Sequence, residues 1–168
     1  MKNASNPVPS TLAVPIHLQA EASHKISQVL NPLIADAFAL YVKTKSYHWH
    51  MFGPHFRDYH LLMDEQAEQI FAMIDALAER VRKLGALTIH SIKQISQLQN
   101  VQDDDEPCIE ALQMLKRLEE ENRNLAARML AVHKVCQEYQ DVATTSILEV
   151  YIDEAERRAW FLFETQQS

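Results

Sequence analysis

Apolar residues recur along this chain at steps of three and four, the interval that lays one stripe along an α-helix. Ile26, Val29, Leu30, Leu33, Ile34, Ala37, Leu40 and Tyr41 give a first helix from about Glu21 to Trp49, with Pro32 as a kink point. Gly53 and Pro54 form a turn and open a second helix, which runs to Leu84 and stops at Gly85. Its core stripe is Phe56, Tyr59, Met63, Ala67, Ile70, Ile74, Leu77, Ala78 and Val81, and its polar face carries Asp58, Glu65, Gln69, Arg80 and Arg82. A short amphipathic piece from Ser91 to Gln97 follows. The acidic run Asp103 to Glu106, ahead of Pro107, reads as the start of a third long helix reaching about Tyr139, because acids favour the positive end of a helix dipole. A fourth opens between Asp141 and Thr145 and carries Ile147, Leu148, Tyr151, Ile152, Ala155, Ala159, Trp160 and Phe163. The sum is an all-α, four-helix bundle with a short extra helix in the long crossover between helices 2 and 3.

Composition sharpens this picture at three points. Only two glycines occur, and four of the six prolines fall within the first 32 residues, which excludes most turn-rich β architectures. Residues 1–18, with Pro7, Pro9 and Pro15, read as a flexible arm, and residues 19–168 as one bundle domain. Cys108 and Cys136 lack any metal or disulfide spacing and are expected to be reduced and buried. The apolar run Leu12 to Ile16 is too short, and too broken by Pro15, for a signal peptide or a membrane span, so a cytoplasmic location is expected.

Candidate chemistry lies in a 32-residue window holding His48, His60, Asp64, Asp75 and Glu79. At about 100° and 1.5 Å per residue, the last four share one stripe of the second helix but form two clusters with midpoints roughly 22 Å apart. That is far beyond a metal–ligand bond of about 2 to 2.5 Å. Each chain thus offers two half-sites. A second copy packed antiparallel, about a two-fold axis near Gln69, would set His60 and Asp64 of one subunit against Asp75 and Glu79 of the other. Taken singly, Asp75 and Glu79 read as solvated acids paired with Arg80, Arg82 and Lys83. Their place beside the apolar stripe, with Leu61, Phe71 and Ala72 close by, favours desolvated acids that need a cation or a proton.

The segment from Tyr47 through His48, Trp49, Gly53 and Pro54, continuing to His60, Asp64, Asp75, Glu79 and Arg80, resembles the signature of the Dps proteins, ferritin-like mini-cages of stressed bacteria. The fourth-helix segment Ile152 to Glu156 with Trp160 to Leu162 resembles the family as well, so the likeness covers about residues 20–165. The resemblance implies a ferritin-like fold in which His48, Asp75 and Glu79 bind the principal iron and His60 and Asp64 the weaker second position. It also implies oxidation of Fe(II) to Fe(III), preferentially by hydrogen peroxide, in two-fold dimers assembled into a hollow dodecamer. Imidazole with carboxylate suits Fe(II), although the same set could hold Zn or Mn. Trp49 is read first as an interface anchor and second as a sacrificial electron donor, an ambiguity that Tyr47 and Tyr59 share. His50 and His55 are read as incidental.

Charge bears on entry and on DNA. Twelve chains of net charge −7 sum to −84, a field that draws cations inward. The family's three-fold pores are acidic; Asp141 and Glu149 are the acids available here, and Ser146 stands where a pore Asp often occurs. The arm carries only Lys2 before Lys25, so the counterion-release contribution to DNA affinity is mostly missing and direct DNA binding is expected to be weak or absent. Two other functions were weighed. One is a nucleoid-packing, DNA-binding cage with little catalytic role, which the missing basic arm opposes. The other is a conventional ferritin with its metals inside each bundle, which needs Glu-x-x-His on two helices; only Glu21 to His24 has that spacing, and it reads as chance.

Overall fold

The computed structural model describes residues 14–167, so the expected arm falls mainly on residues 1–13, outside the described residues. Five helices follow: α1 (Ala20–His50), α2 (Phe56–Lys83), α3 (Ile92–Leu98), α4 (Ala111–Glu138) and α5 (Val142–Thr165). No strand occurs among the described residues, and no helix there is long and apolar enough to cross a membrane. α1 packs along α2 and α4 along α5, each pair joined by a short turn, while α3 lies on α1 within the crossover of residues 84–110. The core is a column of aliphatic and sulfur side chains, among them Ile26, Leu30, Leu33, Leu40, Met63, Ile70, Leu77, Leu115, Leu118, Leu125, Leu148 and Leu162, all buried. Pro32 is accommodated inside an unbroken α1; the bond it cannot donate would have gone to the carbonyl of Gln28, a solvent-exposed position.

Chain reversal at both long-helix ends uses the left-handed backbone. Past α2, Gly85 sits at φ 77°, with its amide bonded to Arg82 O at 2.9 Å and that of Ala86 to Val81 O at 3.2 Å, the paired bonds that close a helix C-terminus. Past α4 the same two bonds recur, Gln140 N to Gln137 O and Asp141 N to Cys136 O, both 3.0 Å, but the left-handed residue is Gln140 at φ 57°. A side chain there costs on the order of 1 kcal/mol relative to glycine.

That cost is offset by what the turn places next. Asp141 is fully buried and its carboxylate caps α5, accepting from the Thr144 amide at 3.1 Å and hydroxyl at 2.5 Å. Arg80 of α2 donates to the same carboxylate at 2.7 Å and to the Thr144 hydroxyl oxygen at 2.8 Å. Arg80, expected on the polar face, is therefore buried, and Asp141, expected as a pore acid, faces no channel. Helical periodicity could not show this, because the partner lies 61 residues away.

The acidic run is also corrected. α4 begins at Ala111, and residues 103–106 belong to the loop before it, with Asp104 accepting from Arg117 at 2.7 Å and Asp103 from Gln99 at 2.7 Å. These acids meet side-chain cations and amides across the fold instead of a helix dipole. Both cysteines are free, Cys136 buried as expected and Cys108 exposed, contrary to expectation. Burial pushes the Cys136 thiol up to about 12, with the nearby Asp141 charge adding to the effect.

One more charge is interior. Arg158 of α5 is 1% exposed; its Nε donates to Asn122 Oδ1 at 2.7 Å and its Nη2 leans on Met73 Sδ at 3.8 Å, while Nη1 and the nearby Gln66 Oε1 have no partner. No carboxylate makes an ion pair with it among the described residues, and burial lowers its pKa to about 10.

Removing Arg80 would strand the buried Asp141 charge. Arg80→Ala is expected to cost about 3–5 kcal/mol in urea unfolding. Burial opposes ionisation of Asp141, but the Thr144 bonds and Arg80 outweigh it and hold the carboxyl below its ordinary value. Its stabilising contribution is therefore complete above about pH 4, the unfolded value, and is lost as pH falls through the folded one. Asp141→Asn should flatten that acid limb of the stability curve; an unchanged limb would show that other groups set it.

Candidate metal centre

The five-residue turn between α1 and α2 brings their facing ends together, and two imidazoles meet there. His48 and His60 stack with centroids 3.7 Å apart, and Phe56 stacks on the outer face of His60 at 5.0 Å. Phe56, expected in the core stripe, is accordingly a half-exposed cover on this pair. Each imidazole is also locked to the other helix: His48 Nδ1 donates to the His60 carbonyl and His60 Nδ1 to the His48 carbonyl, both at 2.9 Å. A carbonyl only accepts, so both rings carry a proton on Nδ1, and in the neutral form each presents Nε2 as an open lone pair. Fixing the tautomer through the second nitrogen is how proteins orient metal-binding histidines.

Asp64, one turn along α2 from His60, completes this end, its Oδ1 lying 3.9 Å from His48 Nε2. The same oxygen accepts from Lys45 of α1 at 2.5 Å. That contact holds the Asp64 carboxyl below its usual range against the opposing effect of desolvation, with weaker help from the two imidazoles. Lys45 was not singled out from the sequence, although its position three residues before His48 on α1 could have suggested it.

Asp75 and Glu79 sit elsewhere. Both are exposed on α2, and Glu79 pairs with Lys83 at 2.9 Å across one helical turn. Among the described residues no three His, Cys, Asp or Glu side chains of one chain converge closely enough to hold a metal ion. The structure thus brings His48, His60 and Asp64 into one cluster and leaves Asp75 and Glu79 on the same helix, roughly 15 residues or 22 Å away by helical rise. Near Asp75 the surface is apolar: Phe71 is 54% exposed beside Tyr41, and Ile92 of α3 is 77% exposed. A hollow lined by Phe38, Phe71, Ile74, Asp75, Ala78 and Ile92 lies between α2 and the crossover. Exposed apolar side chains of this kind are the ones a contact between protein surfaces would bury.

Trp49 points outward, 64% exposed. His50 is exposed and donates to Ser46 O at 2.7 Å, and His55 rests against the Tyr59 ring at 5.5 Å; neither joins the cluster. Tyr47 is buried, with its hydroxyl donating to Asp104.

Comparison with known proteins places this arrangement in context. The profile of the ferritin-like domain matches residues 27–167. An uncharacterized low temperature-induced protein of Nostoc is 35% identical over 148 residues, covering 88% of this chain and 83% of that protein. A Deinococcus radiodurans protein named DNA protection during starvation protein 1 is 27% identical, covering 87% of this chain and 70% of its own. The solved structure of DpsC from Streptomyces coelicolor superposes with a TM-score of 0.89 at 28% identity, covering 97% of each chain.

The imidazole lock has a direct spectroscopic consequence. In nitrogen-15 correlation spectra of the metal-free protein, both His48 and His60 should show the Nδ1-protonated pattern; an Nε2-protonated pattern for either would break the proposed orientation. Lys45→Ala should move the Asp64 carboxyl titration upward toward about 3.9, followed by carbon-13 shifts.

Proposed function

This chain belongs to the Dps family of ferritin-like proteins, and on that premise we propose that it is a mini-ferritin that oxidises Fe(II), preferentially with hydrogen peroxide, at sites shared between two copies of the chain. The ferric product is stored inside a hollow dodecamer, and DNA is protected chemically by removal of the iron and peroxide that together generate hydroxyl radical. The observation carrying this reading is the division of the ligands: an oriented imidazole pair with Asp64 at one end of α2, Asp75 and Glu79 toward the other, and an apolar face around the acids. An antiparallel neighbour seated on that face closes two equivalent sites from four half-sites.

In each closed site Asp75 and Glu79 of one subunit and His48 of the other hold the principal Fe(II), through oxygen and the free Nε2. Imidazole with carboxylate matches the preference of this ion, and a ligand set of two or three leaves positions open for peroxide. His60 and Asp64 hold the second iron more weakly, because Lys45 already neutralises Asp64 and an entering cation must displace it. The carboxylates stabilise the charge gained when Fe(II) becomes Fe(III). Trp49 acts first as an anchor in the contact between copies. The chain works in the cytoplasm, and binds DNA weakly or not at all, in keeping with a net charge of −7 and an arm bearing only Lys2.

Three measurements test the reading. Asp75→Ala, loaded anaerobically with Fe(II) and pulsed with peroxide, should oxidise iron at least about ten-fold more slowly than the parent, an effect of the order seen when metal-site groups are lost. Equal rates would end the assignment. Mixing Asp75→Ala chains with His48→Ala chains should restore activity, because a mixed dimer keeps one complete site; no recovery after verified subunit exchange would refute sharing between copies. Duplex DNA should not shift in a gel at physiological salt without added metal, and a shift would return the nucleoid-packing alternative.

A further inference from the structure

Two polar atoms in the interior, the guanidinium Nη1 of Arg158 and the amide Oε1 of Gln66, have no hydrogen-bond partner among the described residues. Arg158 is 1% exposed and Gln66 3%, so bulk solvent does not reach them. The other ends of both groups are engaged: Arg158 Nε donates to Asn122 Oδ1 at 2.7 Å, and Gln66 Nε2 donates to the Arg158 carbonyl at 3.2 Å. A buried donor or acceptor left without a partner bears its whole desolvation cost. Both residues line one hollow of about 10 Å³ between α2 and α5, walled on its apolar side by Leu62 and Phe161. At its rim Gln69 donates to Glu65 at 3.2 Å and Arg157 lies over the Phe161 ring at 5.2 Å, so these groups turn to one another.

We propose that this hollow is a binding site for one water molecule, held as a fixed part of the protein, which accepts from Arg158 Nη1 and donates to Gln66 Oε1. The two atoms select the ligand by their opposite needs. A halide would suit the guanidinium but would face the amide oxygen, which repels it. The amide cannot turn to offer Nε2 instead, because that would set its oxygen against the Arg158 carbonyl. A metal ion would suit the amide oxygen but would face the guanidinium charge. An uncharged group that both donates and accepts serves both atoms, and a volume of about 10 Å³ admits a single water. The bridge joins α2 to α5 between the two half-sites, and it hydrates a cation that makes no ion pair with a carboxylate among the described residues. Iron plays no part in it.

The test uses the full-length protein, crystallised once with chloride and once with bromide. Density for a bound oxygen should lie about 2.7–3.2 Å from both Arg158 Nη1 and Gln66 Oε1 in every copy of the chain, with no anomalous bromide signal at that place. An anomalous peak there would make the ligand an anion, and side chains in direct contact with no density between them would leave no site; either result overturns the proposal. In solution, Gln66→Leu and Arg158→Met are compared singly and together by urea unfolding at one protein concentration. The bond from Gln66 to the Arg158 carbonyl survives Arg158→Met, so coupling between the two side chains reports the bridge. The loss in folding constant for the double variant should be smaller than the product of the two single losses by about two-fold or more. Independent losses would show that nothing links the two side chains, and would overturn the proposal as well. Crystals of the parent need no variant, so a substitution that fails to fold leaves the test intact.

Discussion

Helix α2 is held at both ends by polar contacts with other helices, and its rotation about its own axis is therefore set. At the start, the imidazoles of His48 and His60 exchange hydrogen bonds with each other's main-chain carbonyls and tie α2 to α1. At the end, Arg80 reaches inward to the buried Asp141 and Thr144 that begin α5. A helix pinned at both ends cannot turn its acids inward. Asp75 and Glu79 are thereby directed outward, next to apolar side chains that a lone chain leaves wet. The orientation of α2 and the outward setting of its acids follow from the same two anchors.

The anchors also explain the division of labour among neighbouring residues. Arg80 follows Glu79 directly, yet one is interior and paired across the bundle while the other faces out and meets only Lys83. Tyr47 and His48, both buried, turn to different partners at the end of α1, Asp104 and the His60 carbonyl. Adjacent positions on a helix point about 100° apart, so an outward carboxylate such as Glu79 carries next to it a residue facing the core.

Much of this could be read from the chain alone. Scarce glycine and proline, with apolar steps of three and four, located all four long helices and the short one, and the spacing of five ligand-type residues already separated Asp75 and Glu79 from His60 and Asp64. What escaped depended on partners distant in sequence. Arg80 looks solvated until Asp141 arrives from another turn, and the acidic run resembles a helix start until Tyr47, Gln99 and Arg117 claim its oxygens. Phe56 fits the core period but sits before the bundle closes over it, and packs on an imidazole instead. Lys45 went unnoticed because a lysine beside a ligand cluster is the opposite of what a search for donors seeks.

The guanidinium of Arg158 is sealed among α2, α4 and α5 with an amide and a thioether for company, and the Glu154 charge acts on it without forming an ion pair. A permanent positive charge at that depth is felt at nearly full strength, since little water is present to screen it. Any divalent ion entering the bundle interior beside it would meet this repulsion.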